Sequence, residues 1–136
     1  MPEFRMSRRV RYRECDPMGV VYHTHYLDWF EEARTEALRE LGLPYVELEE
    51  SGIIMPVVDL GVRYHRPVRY DDLVQIVTRM DDAPPRTRVR FDYEVRSGDT
   101  VCVTAHVTLC FVDVERSRPV TAPGRVKAVF EKLRTA

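Results

Sequence analysis

The chain has 136 residues, 44% of them hydrophobic and 32% charged, with a formal net charge of −1. That length suits a single domain over 1–136 with one core, and the charge balance gives no global pull toward nucleic acid or a membrane surface. No apolar run approaches the ~20 residues that cross a bilayer, so membrane insertion is not expected.

Residues 8–14, RRVRYRE, alternate and suggest a first strand; 16–23 read as an irregular loop, because Asp-Pro and Gly interrupt regular structure. From His25 the period changes: Tyr26, Trp29, Phe30, Ala33, Ala37 and Leu41 recur at helical spacing, with Asp28, Glu31, Glu32, Glu36, Arg39 and Glu40 opposite. This predicts an amphipathic helix of four turns or more, with Gly42 at C′ and Pro44 stopping it. After a loop, Val58, Leu60, Val62 and Tyr64 alternate with Asp59, Gly61, Arg63 and His65. Further strands run through Val74, Ile76 and Met80, through Val89, Phe91, Tyr93 and Val95, and from Val101 to Phe111, separated by RPVRYDD, DDAPPR and RSGD. Such short connections predict antiparallel neighbours. Val126, Val129, Phe130 and Leu133 suit a short closing helix.

The expectation is an α+β fold in which a curved antiparallel sheet of about five strands wraps one long helix. One helix covers such a sheet poorly and leaves its edges open, so an oligomer is expected. Cys15, Cys102 and Cys110 offer no Cys-x-x-Cys pair. Their odd number, with no signal-peptide apolar region in MPEFRMSRRV, fits a cytoplasmic protein. Asn is absent and Gln occurs once, at Gln75, a depletion of labile amides in keeping with a thermophile.

The stretch ECDPMGVVYHTHYLDWF places Asp16, Gly19 and His23 just ahead of the helix. A helix start offers free N–H groups and the positive end of a dipole to a carbonyl oxygen. Asp16 either caps a turn or stands beside that carbonyl as nucleophile or general base. His23 and His25 are its titratable neighbours; His-x-His with no nearby carboxylate ligand makes a poor metal set, and no metal is expected. The chain has no Gly-x-Ser-x-Gly elbow, Walker loop or dinucleotide fingerprint. Arg86, Arg88 and Arg90 alternate on one strand face and, with Arg66 and Arg69, either hold phosphates or form a solvated polar face.

VRYRECDPMGVVYHTHYLDWFEEARTEAL resembles the opening of the hotdog-fold acyl-CoA thioesterases, the group containing the 4-hydroxybenzoyl-CoA thioesterases and the thioesterases associated with the Tol–Pal system. The strand–turn–strand MPVVDLGVRYHRPVRYDDLVQI is similar as well, and the resemblance spans roughly Arg9 to Val114. It implies a hotdog fold, hydrolysis of an acyl-CoA thioester, and a homodimer or homotetramer with active sites shared between subunits. It places the essential aspartate on Asp16 and, as in the Tol–Pal-associated branch, its tyrosine and histidine partners on Tyr12 and His23. In the 4-hydroxybenzoyl branch the residue matching His23 offers its backbone N–H to the thioester carbonyl. Substrate contacts are expected at Gly19, Val20, Tyr22 and Tyr26, with Arg66, Arg86 and Arg88 toward the CoA phosphates. No cofactor is implied beyond the coenzyme A of the substrate. Ile54-Met55-Pro56 stands where the 4-hydroxybenzoyl enzymes carry a small, Gly-containing segment, so the aromatic substrate is not carried over.

Three other readings belong beside this one. The same fold can serve as a non-catalytic acyl-CoA or acyl-carrier-thioester binding module. A hydratase or dehydratase would want a histidine base and an acid on the helix, where Glu31, Glu32 and Glu36 mostly occupy the solvated face. An RNA-binding role for the arginine strand conflicts with the charge balance.

Overall fold

A computed structural model describes residues 2–81 and 83–135. A five-stranded antiparallel sheet is ordered β1-β4-β5-β6-β3, with β1 Glu3–Arg9, β3 Val57–Tyr64, β4 Leu73–Met80, β5 Arg88–Ser97 and β6 Thr100–Cys110. A small second sheet joins β2 (Ile53–Ile54), β7 (Val112–Asp113) and β8 (Arg118–Pro119). The helices are α1 (His25–Glu40), α2 (Tyr45–Glu50) and α3 (Gly124–Thr135).

Helix α1 matches the periodicity closely. It buries Tyr26, Trp29, Phe30, Ala33, Ala37 and Leu38, and Phe30 stacks on Tyr93 of β5 with ring centroids 4.6 Å apart. Gly42 takes a φ of +79°, and the Leu43 N–H reaches back to the Leu38 carbonyl at 2.8 Å, closing the helix as its C′ position requires. Pro44 does not lead into a loop as expected. Its φ of −63° and ψ of 141° make it the N-cap of α2. That short helix is tied to α1 by the buried Arg34, whose Nε donates to the Tyr45 hydroxyl at 3.3 Å.

Two strand expectations are corrected. The first strand is Glu3–Arg9, not 8–14: Phe4 and Met6 pack against the core, while Tyr12–Glu14 turn into a short 3-10 helix. The alternation at 8–14 misleads because Glu14 turns back to accept the Arg11 N–H at 2.8 Å. Nor does β3 pair with β4 across RPVRYDD; it pairs with β6, Leu60 opposite Val107 and Tyr64 opposite Val103. The segment between them crosses the end of the sheet. His65 and Arg66 donate backbone N–H groups to the Cys102 carbonyl at 2.8 and 3.0 Å, and Val68 is fully buried.

The inward faces of β4, β5 and β6 are buried beneath α1, but that of β3 is covered only at Val62, which packs against the core. Leu60 and Tyr64 are 46% and 51% exposed on this edge strand. The outward face is polar: Glu94 is bonded by Arg79 and Arg96, and Arg79 also reaches Glu3. Among the described residues no helix is long and apolar enough to cross a membrane.

Candidate active site

Residues 15–21 form a hairpin, with Cys15 bridged to Val21 and Val20 to Arg69. The Asp16 N–H donates to the Val20 carbonyl and the Gly19 N–H to the Asp16 carbonyl, both at 2.9 Å. Gly19, with a φ of +79°, supplies the left-handed residue this turn needs. Asp16 is half-buried, and its Oδ1 accepts the N–H groups of Met18 at 2.8 Å and Val20 at 3.4 Å. The turn-capping role weighed from the sequence is therefore present.

The returning strand of the hairpin runs directly into α1. The His25 N–H donates to the Tyr22 carbonyl at 3.0 Å and the Leu27 N–H to the Thr24 carbonyl at 3.1 Å, so part of the first turn's donor set is used locally. The exposed His23 ring lies 4.4 Å from that of Tyr22, and Tyr64 of β3 meets the same turn, its hydroxyl donating to the His23 carbonyl at 3.0 Å. Tyr12 is 80% exposed and sets its ring edge-on to Tyr70 at 5.6 Å. Tyr70 donates its N–H to the Gly19 carbonyl at 3.3 Å. Tyr12, Asp16, Gly19, Val20, Tyr22 and His23 thus share one end of the sheet, and Arg66 lies on the crossing segment at that end.

Three further residues expected at the substrate stand apart from this cluster. Tyr26 is a core residue, 2% exposed, with its ring 5.0 Å from Trp29 and 5.6 Å from Tyr64. Burial pushes its hydroxyl up to about 12. It occupies the apolar stripe of α1, packed within the core. Arg88 opens β5 and pairs with Cys110, whereas the Asp16 hairpin adjoins the start of β4, where Gln75 faces Arg96 near the other end of β5. At ~3.3 Å per residue those ends lie about 25 Å apart. Arg86 precedes Arg88 and shares its distance from the hairpin. Within one copy, Arg86 and Arg88 cannot serve the same ligand group as Asp16.

Sequence reasoning misses Glu14. It is 7% exposed and gathers three donors: Arg11 N–H at 2.8 Å, Arg8 Nη2 at 2.7 Å and the Trp29 indole N–H at 2.7 Å. Burial by itself would raise its carboxyl, but the Trp29 and Arg11 hydrogen bonds and the Arg8 charge outweigh it, and the net displacement is downward. The one usable signal is the lone Trp29 on the apolar stripe, because a buried indole N–H needs an acceptor. Cys15, beside it, is held as a thiol by burial and by the carboxylates of Glu14 and Asp16. His25 faces Asp28, with Nδ1 3.5 Å from Oδ2. Among the described residues no three His, Cys, Asp or Glu side chains converge as a metal set.

The Thioesterase-like superfamily model matches residues 10–130. The acyl-CoA thioesterase YbgC of Haemophilus influenzae is 34% identical over 132 residues, covering 96% of each chain. The crystal structure of a DHNA-CoA thioesterase from Staphylococcus aureus superimposes with a TM-score of 0.90 at 29% identity, covering 99% of this chain and 93% of that one. A protein of Aquifex aeolicus, solved as a hypothetical protein, gives a TM-score of 0.84 at 31% identity, covering 93% and 98%. With the helix, the Asp16 hairpin and four of the sheet's five strands in the matched region, the chain belongs to the thioesterase-like superfamily and has its hotdog fold.

Proposed function

We propose that the protein hydrolyses acyl-CoA thioesters, releasing coenzyme A and a carboxylic acid. The observation that carries this reading is the half-buried Asp16 carboxylate on a hairpin that feeds straight into the first turn of α1. Relatives named acyl-CoA thioesterases that match over nearly the whole chain support the same activity. The thioester carbonyl rests at the start of α1 near His23, where N–H groups and the helix dipole stabilise the developing oxyanion. Asp16 then acts in one of two ways. It attacks the carbonyl carbon to give a mixed anhydride that water cleaves, or it takes a proton from a water that adds to that carbon. In either course the C–S bond breaks, its electron pair leaves with the sulfur as thiolate, and water supplies the oxygen of the new acid. Tyr12 and His23 position the carboxylate, the water or the leaving group. Gly19, Val20 and Tyr22 line the approach, and Arg66 stands beside it. The chemistry calls for no resident metal or cofactor.

The active unit in this reading is a homodimer, on its own or within a tetramer, joined through the uncovered β3 edge. A second copy there would cover Leu60 and Tyr64. It would also bring its own Arg86 and Arg88 toward the Asp16 end of the first copy, where guanidinium forks suit CoA phosphates.

Free-thiol release from acyl-CoAs of graded length and aromaticity tests the activity, with wild type and Asp16→Asn side by side. Asp16→Asn should lower turnover about a hundredfold or more while leaving the fold intact. Near-full activity in that variant would remove Asp16 from the mechanism. The turn-capping bonds on Oδ1 favour one second reading, an acyl-thioester binding module. Tight binding without release by wild type would establish it.

A further inference from the structure

Glu14 touches the chain next to each of the three candidate catalytic residues. Its Oε1 accepts the N–H of Arg11, which adjoins Tyr12. Its own carbonyl accepts the N–H of Tyr22, which adjoins His23, at 2.9 Å. It lies two residues ahead of Asp16 at the base of the hairpin. Its Oε2 is bonded to Arg8 of β1 and to the Trp29 indole of α1, both at 2.7 Å. Those two partners are themselves packed together, the Arg8 guanidinium lying 5.0 Å over the Trp29 ring. Arg8 is anchored further by Glu32 of α1 at 3.0 Å. The first strand, the 3-10 turn and the central helix therefore meet on one carboxylate, and the hairpin is tied to the same residue through its main-chain carbonyl. Charge-assisted bonds of this length are the stronger class, and a buried carboxylate holding three donors is a rigid one, although the Arg8 Nε beside it has no hydrogen-bond partner among the described residues.

The geometry points to Glu14 as a positioning residue that sets Tyr12, Asp16 and His23 against the start of α1. This role rests on the thioesterase reading. Glu14 does not touch the reacting atoms; it acts through the chain segments it fixes. Catalysis of this type is steep in geometry, so small displacements of Asp16 relative to the helix turn are costly.

The variant Glu14→Gln keeps the side chain's size and one acceptor oxygen but places an amide N–H₂ where the carboxylate met donors. Trp29 is the only tryptophan, so its indole N–H resonance in a ¹⁵N spectrum reads the contact directly. In Glu14→Gln that resonance should move while the rest of the spectrum stays folded. Turnover should fall about ten- to a hundredfold, with KM within about twofold. A moved indole resonance with turnover within about twofold of wild type would overturn the proposal. If Glu14→Gln fails to fold, Arg8→Met supplies the test, because it keeps an aliphatic stem over the indole and removes one donor. It should give a smaller turnover loss in the same direction, and no loss would overturn the proposal. If wild type hydrolyses no acyl-CoA, the thioesterase reading fails, and amide exchange then decides the positioning role separately. Faster exchange at Asp16, Gly19 and Tyr22 in Glu14→Gln, with α1 unchanged, supports it; uniform exchange across hairpin and helix rejects it.

Discussion

Glu14 also makes the fold sensitive to acid. Its carboxyl is displaced downward from the ordinary 4.5 once the Trp29, Arg11 and Arg8 interactions are set against burial. A carboxylate whose folded value is depressed stabilises the native state above its unfolded value, and that contribution is lost as pH falls through the folded value. Glu94 behaves alike: burial raises it, and Arg79 and Arg96 more than compensate. Wild-type stability should therefore be flat near neutrality and fall below about pH 4.5. Glu14→Gln should show a shallower fall, measured as thermal midpoint against pH. A parallel pair of curves would mean that Glu14 titrates alike in both states. The same residue shows where sequence reading stops. Asp16, Gly19 and His23 were legible because Asp-Pro and Gly announce a turn and the helical period marks the start of α1 just beyond it. Glu14 was not, because its partners Arg8 and Trp29 come from a strand and a helix that no local pattern brings together. Tyr26 was legible as part of the apolar stripe, and its burial places it in the core.

At the scale of elements, a period of two identifies a strand but not its neighbour. The runs from Val58 onward were legible as strands, and all fall within β3 to β6 and their flanks. The pairing of β3 with β6 rather than β4 was not, because RPVRYDD is short in sequence yet long in space. Crossing from β3 to β4 passes β6 and β5, three spacings of ~4.8 Å, or about 14 Å. An extended segment of that size spans the gap. The β3–β6 pair has its own device at Gly61, which faces His106 across the ladder. A Cβ built on Gly61 would overlap the His106 ring, whose Nε2 lies 3.3 Å from Asp59. The backbone of Gly61 is not left-handed, so a side chain there meets only this steric barrier. Gly61→Val should cost about 1 kcal/mol or more, because the imidazole is forced off Asp59. In a His106→Ala background the same change should be neutral or stabilising, since Val suits a strand better than Gly. Denaturant unfolding of the four variants measures the coupling, and additive effects would show that the ring is not the barrier.

At the scale of the whole molecule, the proposed pairing with a second copy can be tested against the distribution of charge and apolar surface. Along β3, Val58, Leu60 and Tyr64 are each about half exposed, at 46%, 46% and 51%, beside a core in which Phe91, Val95 and Val103 are fully covered. An edge strand with that exposure invites pairing. The guanidinium groups expected at the phosphates stand at the far end of β5 from Asp16. A two-fold pairing of β3 edges reverses one sheet against the other, so Arg88 of one copy approaches Asp16 of its partner. The separation thus becomes a test of the proposed shared site. Asp16→Asn and Arg88→Ala are each expected to be weak alone at substrate concentrations below KM. Unfolded and refolded together in equal amounts, they form mixed dimers in which one site carries both changes and the other carries neither. Random pairing makes half the dimers mixed, so about a quarter of wild-type activity should return. Leu60→Arg, which charges the exposed edge, should give monomers in sedimentation and abolish that recovery together with the activity. If the mixture does no better than the average of its two parents, each site lies within one copy. Arg88 would then belong to the solvated outer face that its neighbour Arg90, bonded to Asp92 at 3.0 Å, already occupies.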